Sequence, residues 1–331
     1  MKTFWQNKKV LVTGAGGFIG SHLVEILVAQ DANVRAFVRY NSKGDLGHLS
    51  LLSSEASSKL DVVAGDLRDL SAVTSAMQGI DTVFHLGALI AIPYSYKHPS
   101  NVVDANIIGT MNVLLAGRET KVKRIVHTST SEVYGTALRV PIDENHPLQG
   151  QSPYSASKIA ADKLAESFYR SYDLPVVTLR PFNTYGPRQS TRAVIPTIIT
   201  QALTQDVIYL GNLEATRDLT YVSDTVNGFL CAGEALGVEG GTFNLGVGYE
   251  IKISELAKEI ISLVGRNVEV KLDSSRLRPS KSEVERLLSD NRLAKEKLGW
   301  SPSVDLRDGL SRTIEWMSAN LSRYRPGIYQ L

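Results

Sequence analysis

Short β-branched runs alternate along this chain with helix-length amphipathic stretches, and that alternation constrains the fold more than any other feature, because it favours parallel strands joined by crossover helices. Six runs predict strands: Lys9 to Thr13, Val34 to Val38, Asp61 to Ala64, Thr82 to Leu86, Arg124 to Thr128 and Val176 to Arg180. Each is apolar enough to be covered on both faces. The clearest intervening helix is predicted from Ser155 to Tyr172, where Ala, Leu, Ile and Phe recur at helical spacing before Leu174 and Pro175 end it. Beyond about Pro181 the regularity weakens while Arg, Pro and Gly increase. The expected fold is therefore α/β: a doubly wound parallel sheet over residues 1–180, with the rest of the chain assigned mainly to a smaller lobe.

A length of 331 residues suffices for one large core with such a lobe attached, and no repeat or low-complexity tract interrupts it. The net charge of +2 argues against a nucleic-acid or membrane-surface binder. A single cysteine, Cys231, forms no internal disulfide, so the chain has no need of an oxidising compartment. The first nine residues carry Trp5, Gln6 and Asn7 where an export signal needs an apolar run, and a cytoplasmic enzyme is expected. The six histidines show no metal-ligand spacing, so no metal is expected.

The first chemical signal is Gly14-Ala15-Gly16-Gly17-Phe18-Ile19-Gly20, directly after a predicted strand and before the amphipathic run Ser21 to Gln30. Glycine permits a tight turn and close approach of a pyrophosphate, and the following helix offers free N–H groups at its positive end. The G-x-G-x-x-G register fails because Ile19 stands where it needs glycine or alanine. The register Gly14, Gly17, Gly20 fits, and it resembles the G-x-x-G-x-x-G of short-chain dehydrogenases/reductases. That resemblance implies a Rossmann domain with the Phe18 and Ile19 backbone against a dinucleotide. A purely structural glycine turn is the plainer alternative, and its placement between strand and helix argues against it. Where the second strand ends, an acid commonly binds the adenosine ribose; here stands Arg39, which can meet a 2′-phosphate and so favours NADP over NAD. In the same pattern Asp66 and Leu67 end the third strand beside adenine, and Leu86, Gly87 and Ala88 follow the fourth behind the cofactor.

The second signal is Tyr154-Ser155-Ala156-Ser157-Lys158, with Tyr154 and Lys158 four residues apart on one helical face. An ammonium and an oxidised nicotinamide both favour a phenolate that can accept a proton from a sugar hydroxyl. An exposed Tyr/Lys pair is the bland alternative. The third signal, Thr128-Ser129-Thr130-Ser131-Glu132-Val133-Tyr134-Gly135, resembles nucleotide-sugar 4,6-dehydratases of the extended short-chain superfamily. The resemblance implies that Thr130 hydrogen-bonds the sugar oxygen at C4 beside Tyr154. It also implies that Glu132 removes the C5 proton before the C6 hydroxyl leaves as water, with hydride stored transiently on the cofactor. Helix capping or a solvated loop is the ordinary fate of such a glutamate. Deoxythymidine-diphosphate-glucose dehydratases carry an Asp just before that Glu; here the position is Ser131, as in GDP-mannose 4,6-dehydratases, so Ser131 joins the catalytic candidates and Glu132 is expected to deliver the leaving group's proton.

The likeness runs from Val10 to Trp300, and it implies a Rossmann domain over 1–180 with a return segment near 218–247 and a substrate-binding lobe from 181–217 and 248–331. Asn183, within Arg180-Pro181-Phe182-Asn183-Thr184-Tyr185-Gly186-Pro187, corresponds to a sugar or phosphate contact, and Arg217, Arg278 and Glu283 to the nucleotide-sugar site. Guanidinium forks suit a diphosphate; taken singly, each Arg reads as surface charge. Ile92-Pro93-Tyr94-Ser95-Tyr96 and Arg192-Ala193-Val194-Ile195-Pro196 bring the chain close to the dehydratases of legionaminic-acid biosynthesis, which act on nucleotide-linked N-acetylglucosamine. The base, UDP or GDP, stays open. UDP-glucuronate decarboxylase, sugar 4-epimerase and a non-catalytic NAD(P)-binding sensor are the alternatives. Related enzymes pair through a four-helix bundle, so helices beginning near Val102 and Ser155 are expected to form a homodimer.

Overall fold

A computed structural model describes residues 3–324. Strands β1 (Lys9–Thr13), β2 (Asn33–Arg39), β3 (Asp61–Gly65), β4 (Thr82–His85), β5 (Arg124–Thr128) and β6 (Val176–Pro181) coincide with the six expected runs to within a residue. They are followed by β7 (Asn183–Tyr185), β8 (Val207–Leu210), β9 (Thr216–Tyr221), β10 (Thr242–Leu245), β11 (Glu250–Lys252), β12 (Glu269–Leu272) and β13 (Arg286–Leu287). The first six join β10 in one seven-stranded sheet of order β10-β6-β5-β4-β1-β2-β3, and every pairing in it is parallel. The order reverses direction between β1 and β4, so a crevice opens at their carboxyl ends, where open α/β sheets bind ligands. The short strands β11, β9 and β13, with β7 against β9, form a second sheet.

Alternation along the strands divides the apolar side chains between two cores. Val10, Val12, Phe84, Val126 and Val177 pack with Leu23 and Leu27 of the helix Phe18–Ala29 on one face. Leu11, Val83, Ile125 and Val176 pack with Val113, Leu114 and Phe168 on the other. One expectation fails at β3, where Asp61, Val62 and Ala64 are exposed. This strand pairs only with β2 at the margin of the sheet, where the covering layers run out, so apolar content alone did not report its exposure.

The long helix spans Pro153–Tyr172 and starts two residues before the predicted Ser155. Ser152 caps it reciprocally: the Ser155 amide donates to the Ser152 hydroxyl at 3.0 Å, and the Ser152 amide to the Ser155 hydroxyl at 2.9 Å. Asp173, with φ of 52°, ends it in the left-handed region before Leu174 and Pro175 are reached. The helical stretch around Val102 contains a π-helical segment, Asp104–Ile108, between the α-helices Pro99–Val103 and Gly109–Thr120. Among the described residues, no helix is long and apolar enough to cross a membrane.

Candidate active site

At the end of β1 the chain turns through Gly14, whose φ of +69° lies in the left-handed region. A Cβ there would stand 2.8 Å from the Gly87 nitrogen, and one on Gly20 would stand 2.3 Å from the Gly14 carbonyl oxygen. Glycine at these two positions is thus a steric requirement. The Gly17 amide donates to the Gly14 carbonyl at 2.9 Å, closing the turn. The helix that follows, opened by Phe18 and Ile19, has no side-chain cap and no acid in its first turn. Its positive end is therefore left for an anionic group.

Gly14, Arg39, Asp66, Leu67, Gly87 and Ala88 line one cavity beside this turn, together with Phe37 and Gly65. Leu86 is not among the residues that line it; its amide donates to the Thr13 carbonyl at 3.3 Å. Arg68 forks onto both Asp66 oxygens at 3.0 and 2.7 Å. That hydrogen-bonded guanidinium is the main reason the Asp66 carboxyl is held down at about 2. A tight glycine turn, an uncapped helix and an adjoining cleft fit a dinucleotide, with pyrophosphate at the helix end and adenosine in the cavity.

Thr130 caps the 3-10 turn Ser131–Tyr134 that follows β5, its hydroxyl accepting from the Glu132 amide at 3.2 Å. Ser131 and Glu132 are both buried. Burial pushes the Tyr154 phenol well above its ordinary range; the hydrogen bond with Thr130 opposes this, and the Glu132 and Asp162 carboxylates add to it. Lys158 donates to the Thr128 carbonyl at 2.6 Å. Its burial brings the ammonium down to about 8, against the attraction of Asp162. Tyr154 and Lys158 are both buried on the same helix, four residues apart, as the sequence predicts.

Asp162, one further helical step along the face that carries Tyr154 and Lys158, joins the back of the site. It accepts from the Ser129 hydroxyl at 2.8 Å, from His127 Nε2 at 3.1 Å and from two Arg180 nitrogens at 3.1 and 3.0 Å. Burial lowers the His127 pKa and favours the neutral ring; Nε2 then carries the proton given to Asp162, and Nδ1 is buried without a partner among the described residues. Sequence reasoning passed over Asp162, although its spacing of four from Lys158 was a visible signal. It also passed over Asn106 in the π-helical segment, which donates to the Leu89 carbonyl at 2.9 Å and to the Ser157 hydroxyl at 3.0 Å.

Three of the four residues assigned to substrate from sequence gather beside Glu132. Arg278 Nη1 lies 3.7 Å from Glu132 Oε2 and 4.0 Å from Glu283 Oε1, and Arg217 Nη2 lies 3.7 Å from Glu283 Oε1. These are loose pairings, and Arg278 Nη1 is buried with no hydrogen bond among the described residues. Asn183, on β7, likewise buries Oδ1 without a partner among the described residues. Unsatisfied buried polar atoms are costly, and atoms of this kind are suited to receive a ligand's polar groups. His22, at the start of the first helix, faces the Pro187 carbonyl at 3.0 Å, and burial lowers it to about 4. Among the described residues, no three His, Cys, Asp or Glu side chains gather as a metal-holding group.

The family model described as GDP-mannose 4,6 dehydratase matches residues 11–313. A UDP-glucose 4-epimerase from Mycolicibacterium smegmatis is 34% identical over 315 residues, spanning 93% of this chain and 98% of that protein. Among solved structures, a UDP-N-acetylglucosamine 4-epimerase from Methanobrevibacter ruminantium in complex with UDP-N-acetylmuramic acid superposes with a TM-score of 0.86 at 30% identity, covering 95% of this chain and 99% of that one. The dTDP-glucose 4,6-dehydratase DesIV from Streptomyces venezuelae, solved with NAD bound, gives 0.83 at 31% identity over 96% and 98% of the two chains.

Proposed function

Because the chain belongs to the GDP-mannose 4,6-dehydratase family of extended short-chain dehydrogenases/reductases, we propose that it is a nucleotide-sugar 4,6-dehydratase acting on a UDP- or GDP-linked hexose, N-acetylglucosamine in our reading. Glu132 carries this reading. It is a buried carboxylate on the turn set by Thr130, its charge is felt by the Tyr154 phenol, and Arg278 stands 3.7 Å away. Dehydration needs a carboxylate at that point, and a simple 4-epimerisation does not.

When bound, the dinucleotide supplies the hydride acceptor, the later hydride donor and a positive charge that favours the phenolate. Thr130 and Tyr154 meet the C4 hydroxyl, and Tyr154 takes its proton as the carbon is oxidised. The new ketone acidifies C5, whose proton passes to Glu132. A serine hydroxyl is a poor acid, so Ser131 positions and Glu132 protonates the departing C6 oxygen, which leaves as water. The stored hydride would then reduce C6, and C5 would regain a proton equivalent to the one Tyr154 took from the C4 hydroxyl, leaving a 4-keto-6-deoxy sugar. Asn183, Arg217 and Arg278 hold the sugar diphosphate by this reading, and the Glu283 carboxylate bridges the two guanidinium groups and offsets their mutual repulsion.

Incubation with UDP-, GDP- and dTDP-sugars, followed by mass spectrometry, should show loss of one water from UDP- or GDP-N-acetylglucosamine. A 4-epimerase, the activity named for the M. smegmatis relative, would instead return an isomer of unchanged mass, and that outcome would end the dehydratase reading.

Arg39, exposed at the end of β2 and lining the cofactor cavity, supports NADP as the dinucleotide. Calorimetry should give tighter binding of NADP than of NAD, with Arg39→Ala weakening NADP alone by about tenfold. A protein that binds NAD more tightly overturns the preference.

A further inference from the structure

Three stretches far apart in sequence meet on the hydroxyl of Ser282. Tyr96, on the short helix Ile92–Lys97, places its phenol oxygen 2.6 Å from Ser282 Oγ. Ser282 in turn donates to the carbonyl of Gln151, 131 residues earlier in the chain. Because the serine proton goes to Gln151, Tyr96 is the donor to Ser282, and the three groups form a directed chain. Ser282 is 8% exposed, so water does not readily replace either bond.

Each end of this chain matters for the site. Gln151 immediately precedes Ser152, the cap of the helix that carries Tyr154 and Lys158. Its side-chain oxygen also accepts from the Thr136 amide at 2.6 Å, just beyond the turn that carries Glu132. On the other side, the Ser282 and Glu283 amides both donate to the Pro279 carbonyl, at 2.8 and 3.1 Å, folding a tight turn between Arg278 and Glu283. Thr136 adds a second tie, donating to the Glu283 carbonyl at 3.2 Å and accepting from the Glu285 amide at 3.3 Å.

We propose that Ser282 is a positioning residue: by pinning the turn between Arg278 and Glu283 to Tyr96 and Gln151, it sets those two side chains over the end of the catalytic helix and so determines affinity for the nucleoside diphosphate part of the substrate. The inference rests on the assignment of Arg278 to the diphosphate. The Ser282 hydroxyl is engaged by Tyr96 and the Gln151 carbonyl, so it acts through the turn that carries Arg278 and Glu283. Its loss frees the turn and lets Arg278 sample orientations away from the site, which weakens binding of the ground state and transition state alike.

The test is calorimetric titration of the NAD(P)-loaded enzyme with UDP, GDP and dTDP, comparing wild type with Ser282→Ala and Ser282→Thr. Ser282→Ala should weaken the preferred diphosphate about tenfold, Ser282→Thr should restore it, and dinucleotide affinity should stay unchanged in both. With the nucleotide sugar, KM should rise while kcat stays within about twofold; a merely structural defect would lower the active fraction, hence kcat, and leave KM in place. If Ser282→Ala is too unstable to titrate, Tyr96→Phe removes the donor to the same hydroxyl and should weaken the diphosphate in the same direction. Wild-type affinity in the variant that is read overturns the role of Ser282 while leaving the dehydratase reading intact. A wild-type enzyme that binds none of the three diphosphates overturns the site assignment, and this proposal with it.

Discussion

Glu132→Gln is expected to leave the fold and dinucleotide affinity intact and to lower formation of the 4-keto-6-deoxy product by about 10²–10⁴-fold, the range spanned by general acid–base groups. Glutamine matches glutamate in shape and can still face Arg278, so the turn capped by Thr130 has no reason to rearrange. It cannot take the C5 proton or hand one to the leaving oxygen. The substitution also removes one of the carboxylates that raise the Tyr154 phenol, so the first proton transfer is, if anything, eased. Dinucleotide content read by absorbance and product read by mass spectrometry separate the two effects. Wild-type turnover in this variant would take Glu132 out of the chemistry.

The largest effect on stability is expected at Asp162. Asp162→Ala should destabilise the protein by about 3–5 kcal/mol, the cost of removing one partner of a buried ion pair and leaving the other charge uncompensated. Arg180 would be that charge, its side chain only 7% exposed. The Ser129 hydroxyl and His127 Nε2 would lose their acceptor at the same time. Burial by itself raises the Asp162 pKa, but the His127 hydrogen bond and the Arg180 charge outweigh it and the net shift is downward, so the folded protein holds Asp162 as a carboxylate. Its contribution is therefore present above the ordinary carboxylate pKa and lost as the pH falls through the lowered one. Urea unfolding at neutral pH, with an unchanged m-value, reads the difference. A loss below about 1 kcal/mol would mean that Arg180 finds another partner.

The glycine register and the Tyr154/Lys158 pair could be read from sequence because each is a local pattern: the turn between a strand and a helix, or two side chains on one helical face. Strand positions were legible for the same reason, since β-branched runs report their own extent. What escaped depends on contacts between distant segments. Nothing near Ser282 in the chain indicates that its hydroxyl meets Tyr96 and Gln151. Asp162 has a spacing that invites attention, but its weight comes from Arg180 on β6 and Ser129 just past β5, which only the sheet order brings beside it. The exposure of β3 likewise follows from its marginal place in the sheet. Lys158 was placed correctly on the helical face of Tyr154, yet its bond to the Thr128 carbonyl required the position of β5.

The seventh strand of the main sheet, β10, comes from residues 242–245, after the chain has already built β7, β8 and β9 elsewhere. During synthesis β6 is thus left with an unpaired margin until more than sixty further residues have left the ribosome. A fragment ending near residue 180 would expose that margin and invite strand addition between copies, so excision of the first 180 residues should yield an aggregation-prone product instead of a free-standing nucleotide-binding unit.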